Sequence, residues 1–265
     1  MQIADKVVLI TGASEGIGAA CAAAFGRRGA QLSLAARSED KLKQAASEAG
    51  TKDTLIVAGD VTSGEDRKRI VERTLERFGR IDILINNAGV GLYAPSWEAP
   101  FDQLRSMMEV NFFAAVAMTQ LVVPQMKRQG GGCIVNVSSI AGQIALPWFT
   151  LYSSSKYALG AFTRGLRMEL KHDNIHAIEV CPGYVKTRFQ DHVLAGAPPE
   201  GVRKARRFAI TAETCAEAIA RGVERNRRVV VTPRSGILLI ALSRAFPALM
   251  DWQLARMYHK LKSNG

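Results

Sequence analysis

The sequence predicts an α/β fold: a single-domain, doubly wound, seven-stranded parallel sheet flanked by helices, with an apolar and basic helical extension at the C-terminal end. Three observations carry this. Seven short β-branched runs recur along the 265 residues. Stretches with helical spacing of apolar residues lie between them. The runs are apolar throughout instead of alternating, as a sheet covered on both faces requires. A chain of this length buries one sizeable core. With 48% hydrophobic and 22% charged residues and a mean hydropathy of +0.02, disordered, collagenous and multi-span membrane classes are excluded.

The strand runs are Val7 to Ile10, Leu32 to Ala35, Leu55 to Ala58, Ile81 to Ile85, Ile134 to Val137, Ala177 to Val180 and Val229 to Val231. Helical spacing fills Ile17 to Arg28, Glu39 to Ala49, Glu65 to Phe78, Phe101 to Lys127, Tyr152 to Leu170 and Ala212 to Glu224. Start signals agree, because Ser38, Ser63 and Thr211 each precede an acidic first turn. Residues 188–210 form the one long aperiodic piece, with Gly196, Pro198, Pro199 and Gly201 followed by VRKARR. Its place after the sixth strand predicts a mobile substrate lid at the carboxyl edge of the sheet. In the extension, residues 236–262, the apolar core is shorter than a bilayer span and is interrupted by Arg244 and Pro247. It is expected to cover the substrate pocket or pair with a second subunit. The other reading is peripheral membrane contact, with Ile237 to Leu242, Phe246, Leu249, Met250 and Trp252 toward lipid and Arg234, Arg256, Lys260 and Lys262 near phosphates.

The net charge of +11 is a tail-end property: residues 1–200 hold 22 basic and 20 acidic residues, and residues 201–265 hold 13 and 4. Such a local excess suits an anionic substrate, an acidic carrier protein or an anionic membrane; nucleic acid is not expected. Cys21, Cys133, Cys181 and Cys215 form no CxxC pair and have no histidine at zinc spacing. Neither disulfides nor a metal is expected. Together with an N-terminus that enters a β-type run without a signal-peptide pattern, this predicts a cytoplasmic protein.

Directly after the first strand comes TGASEGIG, with Gly12, Gly16 and Gly18 at the turn into an alanine-rich helix. Backbone must approach a pyrophosphate here without Cβ interference, and a helix N-terminus supplies unpaired N–H groups and a positive dipole end. As a bare pattern three glycines carry little; their place between first strand and first helix gives them weight. Gly12, Ser14, Gly16, Ile17 and Gly18 are the expected cofactor contacts. At the end of the second strand stand Ala36 and Arg37. No carboxylate is there to hold a ribose 2′-hydroxyl, and a guanidinium suits a 2′-phosphate, so NADP (NADPH) is the expected cofactor. The alternative reading of Arg37 is a solvated charge at the entry of the next helix. Glu15 is a contrary sign, since its charge would repel that phosphate.

The fifth strand ends as IVNVSSIAG, and Tyr152 opens YSSSK thirteen positions after Ser139. On a helix, the i, i+4 spacing of Tyr152 and Lys156 stacks phenol and ammonium on one face, so the lysine charge is expected to lower the phenol pKa. TGASEGIG, NNAG at Asn86 to Gly89, Asn111, Ser139, YSSSK and PGYVKT at Pro182 to Thr187 stand in this order along residues 5 to about 190. In them the chain resembles the short-chain dehydrogenase/reductase family. The resemblance implies a Rossmann-type fold, with Tyr152 as proton donor or acceptor, Ser139 as the hydroxyl that orients a carbonyl, and Lys156 as pKa tuner and ribose ligand. It implies that Asn111 holds a relay water, that Asp60 and Val61 contact adenine, and that Asn87, Ala88 and Gly89 line the cofactor cleft. Pro182, Gly183 and Val185 would also contact the cofactor, with Thr187 on its carboxamide. Taken singly, Asp60 reads as a turn carboxylate before Thr62; the alternatives are a cap on helix backbone groups for Asn111 and the satisfying of a strand end for Ser138 or Ser139.

The three-residue gap between Tyr152 and Lys156 resembles the carbonyl-reducing branch of the family instead of the enoyl-reducing one. The expected activity is interconversion of a ketone and a secondary alcohol. WFTLY before Lys156 and the apolar tail lean toward a lipophilic or acyl substrate, with Trp148, Phe149 and Leu151 as pocket lining or ordinary core. A homodimer or homotetramer is implied by resemblance. The alternatives are a non-catalytic NADP-binding sensor or scaffold, and a membrane-surface or nucleic-acid binding module using the basic segment.

Overall fold

The computed structural model describes residues 1–51, 53–197 and 209–262, the last three of these as backbone only. Its main sheet has seven strands: β1 (Val7–Thr11), β2 (Gln31–Ala36), β3 (Thr54–Ala58), β4 (Ile83–Asn86), β5 (Gly132–Val137), β6 (Ile175–Pro182) and β9 (Val229–Thr232). They lie in the order β3-β2-β1-β4-β5-β6-β9, and every neighbouring pair is parallel. Ile10 of β1 stands opposite Leu34 on one side and Ile85 on the other. The order reverses direction between β1 and β4, which opens a crevice at their carboxyl ends, where parallel sheets hold their ligands. All seven strands expected from the sequence are present. A separate two-stranded ribbon, β7 (Val185–Lys186) and β8 (Ile210–Thr211), was not anticipated.

Helices cover both faces. Helices α1 (Gly16–Gly26), α2 (Glu39–Glu48) and α7 (Ala212–Glu224) lie on one side, and α3 (Gly64–Phe78), α5 (Ala114–Arg128) and α6 (Thr150–Glu169) on the other. The small residues of α1 let it sit close to its neighbours: Ala20, Cys21, Ala22 and Ala24 are buried. Ser38, Ser63 and Thr211 cap their helices through backbone N–H groups three residues on, as expected. The four cysteines are buried thiols.

Two boundaries differ from expectation. The stretch Phe101 to Lys127 reads as one helix, but it divides into α4 (Phe101–Met108), a π-helical turn (Glu109–Phe113) and α5. The extension likewise divides into α8 (Ser235–Ala245) and α9 (Pro247–Lys262), whose axes turn by 110° at Pro247. Proline there lacks the N–H that would continue α8.

The start of the expected lid is structured. Residues Arg188–His192 form a 3₁₀ turn, Val193 bridges to Gly91, and Tyr93 N–H donates to the Ala195 carbonyl at 2.9 Å. The segment is therefore strapped to the loop after β4, because its backbone groups find partners there. The VRKARR stretch, with Pro198, Pro199 and Gly201, lies outside the described residues.

Candidate active site

The glycine turn sits at the carboxyl end of β1. Gly12 and Gly16 hold φ of +62° and +59°, a region L side chains rarely adopt. A Cβ on Gly12 would stand 2.9 Å from Ala88 Cα, and one on Gly18 would overlap the Gly12 carbonyl. The N-cap residue Glu15 makes no side-chain cap bond to α1. The turn is thus a backbone cradle with a helix dipole aimed into the crevice, which fits a phosphate group. Thr11 Oγ1 accepts from Asn87 N–H at 3.1 Å, and Asn87 Nδ2 donates to the carbonyls of Thr11 and Gly12. Asn87 therefore braces the cradle from β4, with both amide hydrogens spent on it. Ala88 follows in the same loop, its N–H 3.4 Å from Thr11 Oγ1.

Arg37 is exposed beyond the end of β2, and its side chain has no hydrogen-bond or ion-pair partner among the described residues. Glu15 is not a free charge: Lys41 Nζ stands 3.0 Å from its Oε2, and His192 pairs with Oε1. Burial works against the Glu15 charge, but these two partners outweigh it and hold the carboxyl below its usual range. The sequence-level objection to a nearby phosphate is weakened accordingly. Asp60 Oδ1 accepts from Thr62 N and Oγ1 at 2.9 and 2.8 Å, the turn role read from its place before Thr62. Val61 is buried next to it, with its carbonyl bound by Arg67.

On the other side of the crevice, β5 and α6 bring three groups together. Ser139 follows β5 in extended conformation, accepts from Ala141 N–H at 3.1 Å and lies 3.5 Å from the Pro182 carbonyl. Tyr152 and Lys156 both face inward from α6. The Ser139 hydroxyl lies close enough to the Tyr152 phenol to favour its ionised form. Lys156 Nζ lies 5.7 Å from the Tyr152 ring centre and donates to the Val137 carbonyl at 3.0 Å. A Cβ on Gly89 would stand 3.4 Å from Lys156 Nζ and 3.3 Å from Asn111 Oδ1, so the NNAG loop passes directly over the lysine.

The expected pKa coupling is corrected. Burial pushes the Tyr152 phenol well above its usual value; Ser139 opposes this and the Tyr93 phenol adds to it. Burial also lowers Lys156 from 10.5 to about 8. The i, i+4 spacing sets the direction of both side chains, but removal of both from water outweighs a charge at this distance.

Asn111 lies in the π-helical turn, whose extra residue points its side chain inward. Its Nδ2 donates to Val90 O and Ser155 Oγ, each at 3.0 Å, and its Oδ1 accepts from Val90 N at 2.8 Å. It ties the loop after β4 to α6. Both amide hydrogens are committed, so the side chain is not free to donate to a relay water.

Gly183 N–H donates to Thr232 O at 2.8 Å, and Val185 lies in the small ribbon. Thr187 caps the 3₁₀ turn through Phe189 N, and Gly16 is so close that a Cβ there would stand 3.2 Å from Thr187 Cγ2. The segment after β6 therefore meets the glycine turn.

An aromatic wall encloses Tyr152. Phe149 stacks on it at 4.0 Å, Tyr93 stacks on Phe149 at 4.2 Å, and Phe189 meets its edge at 5.8 Å. Trp148, Met107 and Leu92 join this buried cluster, with Leu151, and Leu254 and Tyr258 of α9, packed against it. Trp148, Phe149 and Leu151 were singled out from the sequence; Tyr93 and Phe189 were not, and their position just after β4 and β6 is the one signal that could have found them. The Glu15–His192 pair spans 177 residues and has no local signature.

A doubly wound sheet whose crevice gathers a glycine cradle and a hydroxyl, phenol and ammonium group places the protein among Rossmann-type α/β oxidoreductases. Comparison with known proteins narrows this to a family: the chain belongs to the short-chain dehydrogenases/reductases, whose "short chain dehydrogenase" family model matches residues 6–197. It is similar to 11-beta-hydroxysteroid dehydrogenase-like 3 of Arabidopsis thaliana, 34% identical over an alignment of 266 positions that covers 97% of this chain and 82% of the relative. A short-chain dehydrogenase/reductase from Burkholderia phymatum, solved in complex with NAD, superposes with a TM-score of 0.86 at 25% identity, covering 94% of this chain and 96% of that one. One from Burkholderia cenocepacia, solved in complex with NADP, gives 0.81 at 28% identity, covering 96% and 99%.

Proposed function

We propose that the protein is an NADP(H)-dependent oxidoreductase that interconverts a lipophilic or acyl ketone and its secondary alcohol, with Tyr152 as general acid and base. The observation that carries this is the convergence of Tyr152, Ser139 and Lys156 on the carboxyl edge of the sheet, across the crevice from the glycine cradle.

The residues present fit the dinucleotide. The cradle at Gly12, Gly16 and Gly18 would hold the pyrophosphate and Arg37 the 2′-phosphate. Asp60 and Val61 would line the adenine side; Ala88, Gly89, Pro182, Gly183, Val185 and Thr187 the nicotinamide side. When bound, the cofactor supplies or accepts the hydride at the carbonyl carbon.

The chain's own groups handle the proton. Burial keeps the Tyr152 phenol protonated at neutral pH, so it stands ready to donate to a carbonyl oxygen. The Ser139 hydroxyl, beside that phenol, would orient the same oxygen and steady the phenolate left behind. Lys156, with a pKa near 8, carries charge at neutral pH and lowers the cost of that phenolate. Asn111 acts as a positioning residue that fixes Val90 against Ser155 of α6.

The aromatic wall beside Tyr152 supports an apolar substrate. The steroid-dehydrogenase-like name of one relative points the same way. Exposed Phe113 of the π-helical turn and Tyr157 and Met168 of α6 support a homodimer or homotetramer, and four buried thiols suit the cytoplasm.

Tyr152→Phe tests the assignment. NADPH consumption with a panel of lipophilic and acyl ketones is expected to fall at least about a hundredfold, with NADPH affinity within about twofold of wild type. Unchanged turnover would remove Tyr152 from the reaction.

A further inference from the structure

Single exposed apolar side chains need no explanation, but α8 and α9 leave a continuous run of them uncovered. On α8, Ile237, Leu238, Leu239 and Leu242 are 42% to 65% exposed, while Gly236 and Ile240 face the protein. Phe246 at the bend is 58% exposed, and the surface continues over Leu249, Trp252 and Met257 of α9. The opposite side of α9 is anchored, since Leu254 and Tyr258 pack on the aromatic cluster around Tyr152.

We propose that this face is the seat for an anionic lipid surface, on which the two helices lie in the interfacial plane. Length excludes a span by either helix: 11 and 16 residues at about 1.5 Å each fall short of a hydrocarbon core of about 30 Å. The 110° turn between them keeps the pair from aligning into one longer rod. Charge decides which surface. Arg234 and Arg256 are exposed beside the apolar run, and the Arg256 guanidinium lies 5.4 Å from the Trp252 ring centre, which leaves its charge at the edge of the apolar face. Asp251 is the sole acidic residue in the sequence of the two helices, in a final 65 residues with 13 basic and 4 acidic groups. An isologous contact with a second copy would set this basic rim against itself. Anionic headgroups complement it, and tryptophan suits the depth between headgroup and acyl chain.

The test is co-sedimentation of the full chain with vesicles of phosphatidylserine and phosphatidylcholine, or of phosphatidylcholine alone. Sedimentation velocity without lipid runs in parallel. Wild type is expected to bind the mixed vesicles at least about tenfold more tightly than the neutral ones, and more weakly as salt rises. The triple variant Leu238→Ser, Phe246→Ser, Trp252→Ser is expected to lose at least about tenfold in binding, and Arg234→Glu with Arg256→Glu to lose the preference for anionic lipid. Nucleotide affinity and thermal unfolding should be unchanged in both. Failure of wild type to bind mixed vesicles, equal binding to neutral ones, or wild-type binding by the triple variant would overturn the proposal. Self-association abolished by the triple variant, with no vesicle binding by wild type, would overturn it in favour of a second copy.

Discussion

Replacing Lys156 should separate stability from activity. The residue is 3% exposed, and burial lowers its pKa from 10.5 to about 8. The folded value lies below the unfolded one, so the folded state carries the charge at a cost. That cost is complete below about pH 8, shrinks between about 8 and 10.5, and is gone above. At about 1.4 kcal/mol per pKa unit the shift corresponds to about 3 kcal/mol at neutral pH. Methionine has a similar stem and no charge, but forfeits the charge-assisted hydrogen bond to the Val137 carbonyl, a loss of about 1.5–3 kcal/mol. Lys156→Met is therefore expected to be more stable at neutral pH by up to about 2 kcal/mol, a rise of at most roughly 4–8 °C in Tm for a chain of this size. Near pH 10.5 the gain should vanish. Thermal unfolding without nucleotide, from neutral to alkaline pH, measures this. A neutral-pH Tm at or below wild type, or a difference that ignores pH, would refute the burial argument. The same variant should lose ketone reduction, since the phenolate at Tyr152 then lacks its cation.

Three further outcomes follow from named contacts. Arg37→Ala should abolish a preference for NADPH over NADH, removing charge-assisted contacts of about 1.5–3 kcal/mol; unaltered ratios of dissociation constants would detach Arg37 from the cofactor. Gly18→Ala places a Cβ on the Gly12 carbonyl and should cost about 1–3 kcal/mol of stability, with nucleotide affinity falling at least tenfold; calorimetry with NADPH would show whether the cradle tolerates it. Glu217 on α7 is hydrogen-bonded by Arg28 of the α1 C-terminal turn and by Arg27, which lower its pKa from 4.5 to about 2. Its depressed folded pKa means stability that is present above about pH 4.5 and lost as pH falls toward 2. With partial exposure, Glu217→Gln should cost about 1–2 kcal/mol at neutral pH and progressively less in acid; a pH-independent deficit would indicate a packing defect instead.

The seven sheet strands, the caps at Ser38, Ser63 and Thr211, and the inward pairing of Tyr152 with Lys156 were legible in the sequence. Each depends on neighbours a few residues away: apolar runs, a hydroxyl before an acidic turn, the 3.6-residue period. The glycine cradle was legible for the same reason, since positive φ at Gly12 and Gly16 and close approach at Gly18 follow from the turn itself. Local spacing could not show the π-helical turn that aims Asn111, because one extra residue in a helix leaves the apolar pattern nearly intact. Nor could it show how Glu15 is neutralised by groups from α2 and from beyond β6, or how Tyr93, Phe149 and Phe189 converge on one phenol.

Which residue types face the crevice was thus decided by short-range chemistry written along the chain. The protonation balance there, phenol up and ammonium down, was decided only by the tertiary structure, because desolvation sums over every group that displaces water, and those groups arrive from distant segments. The outward apolar face of α8 and α9 belongs with it: the sequence marks those residues as apolar, but only packing determines which of them the protein leaves uncovered.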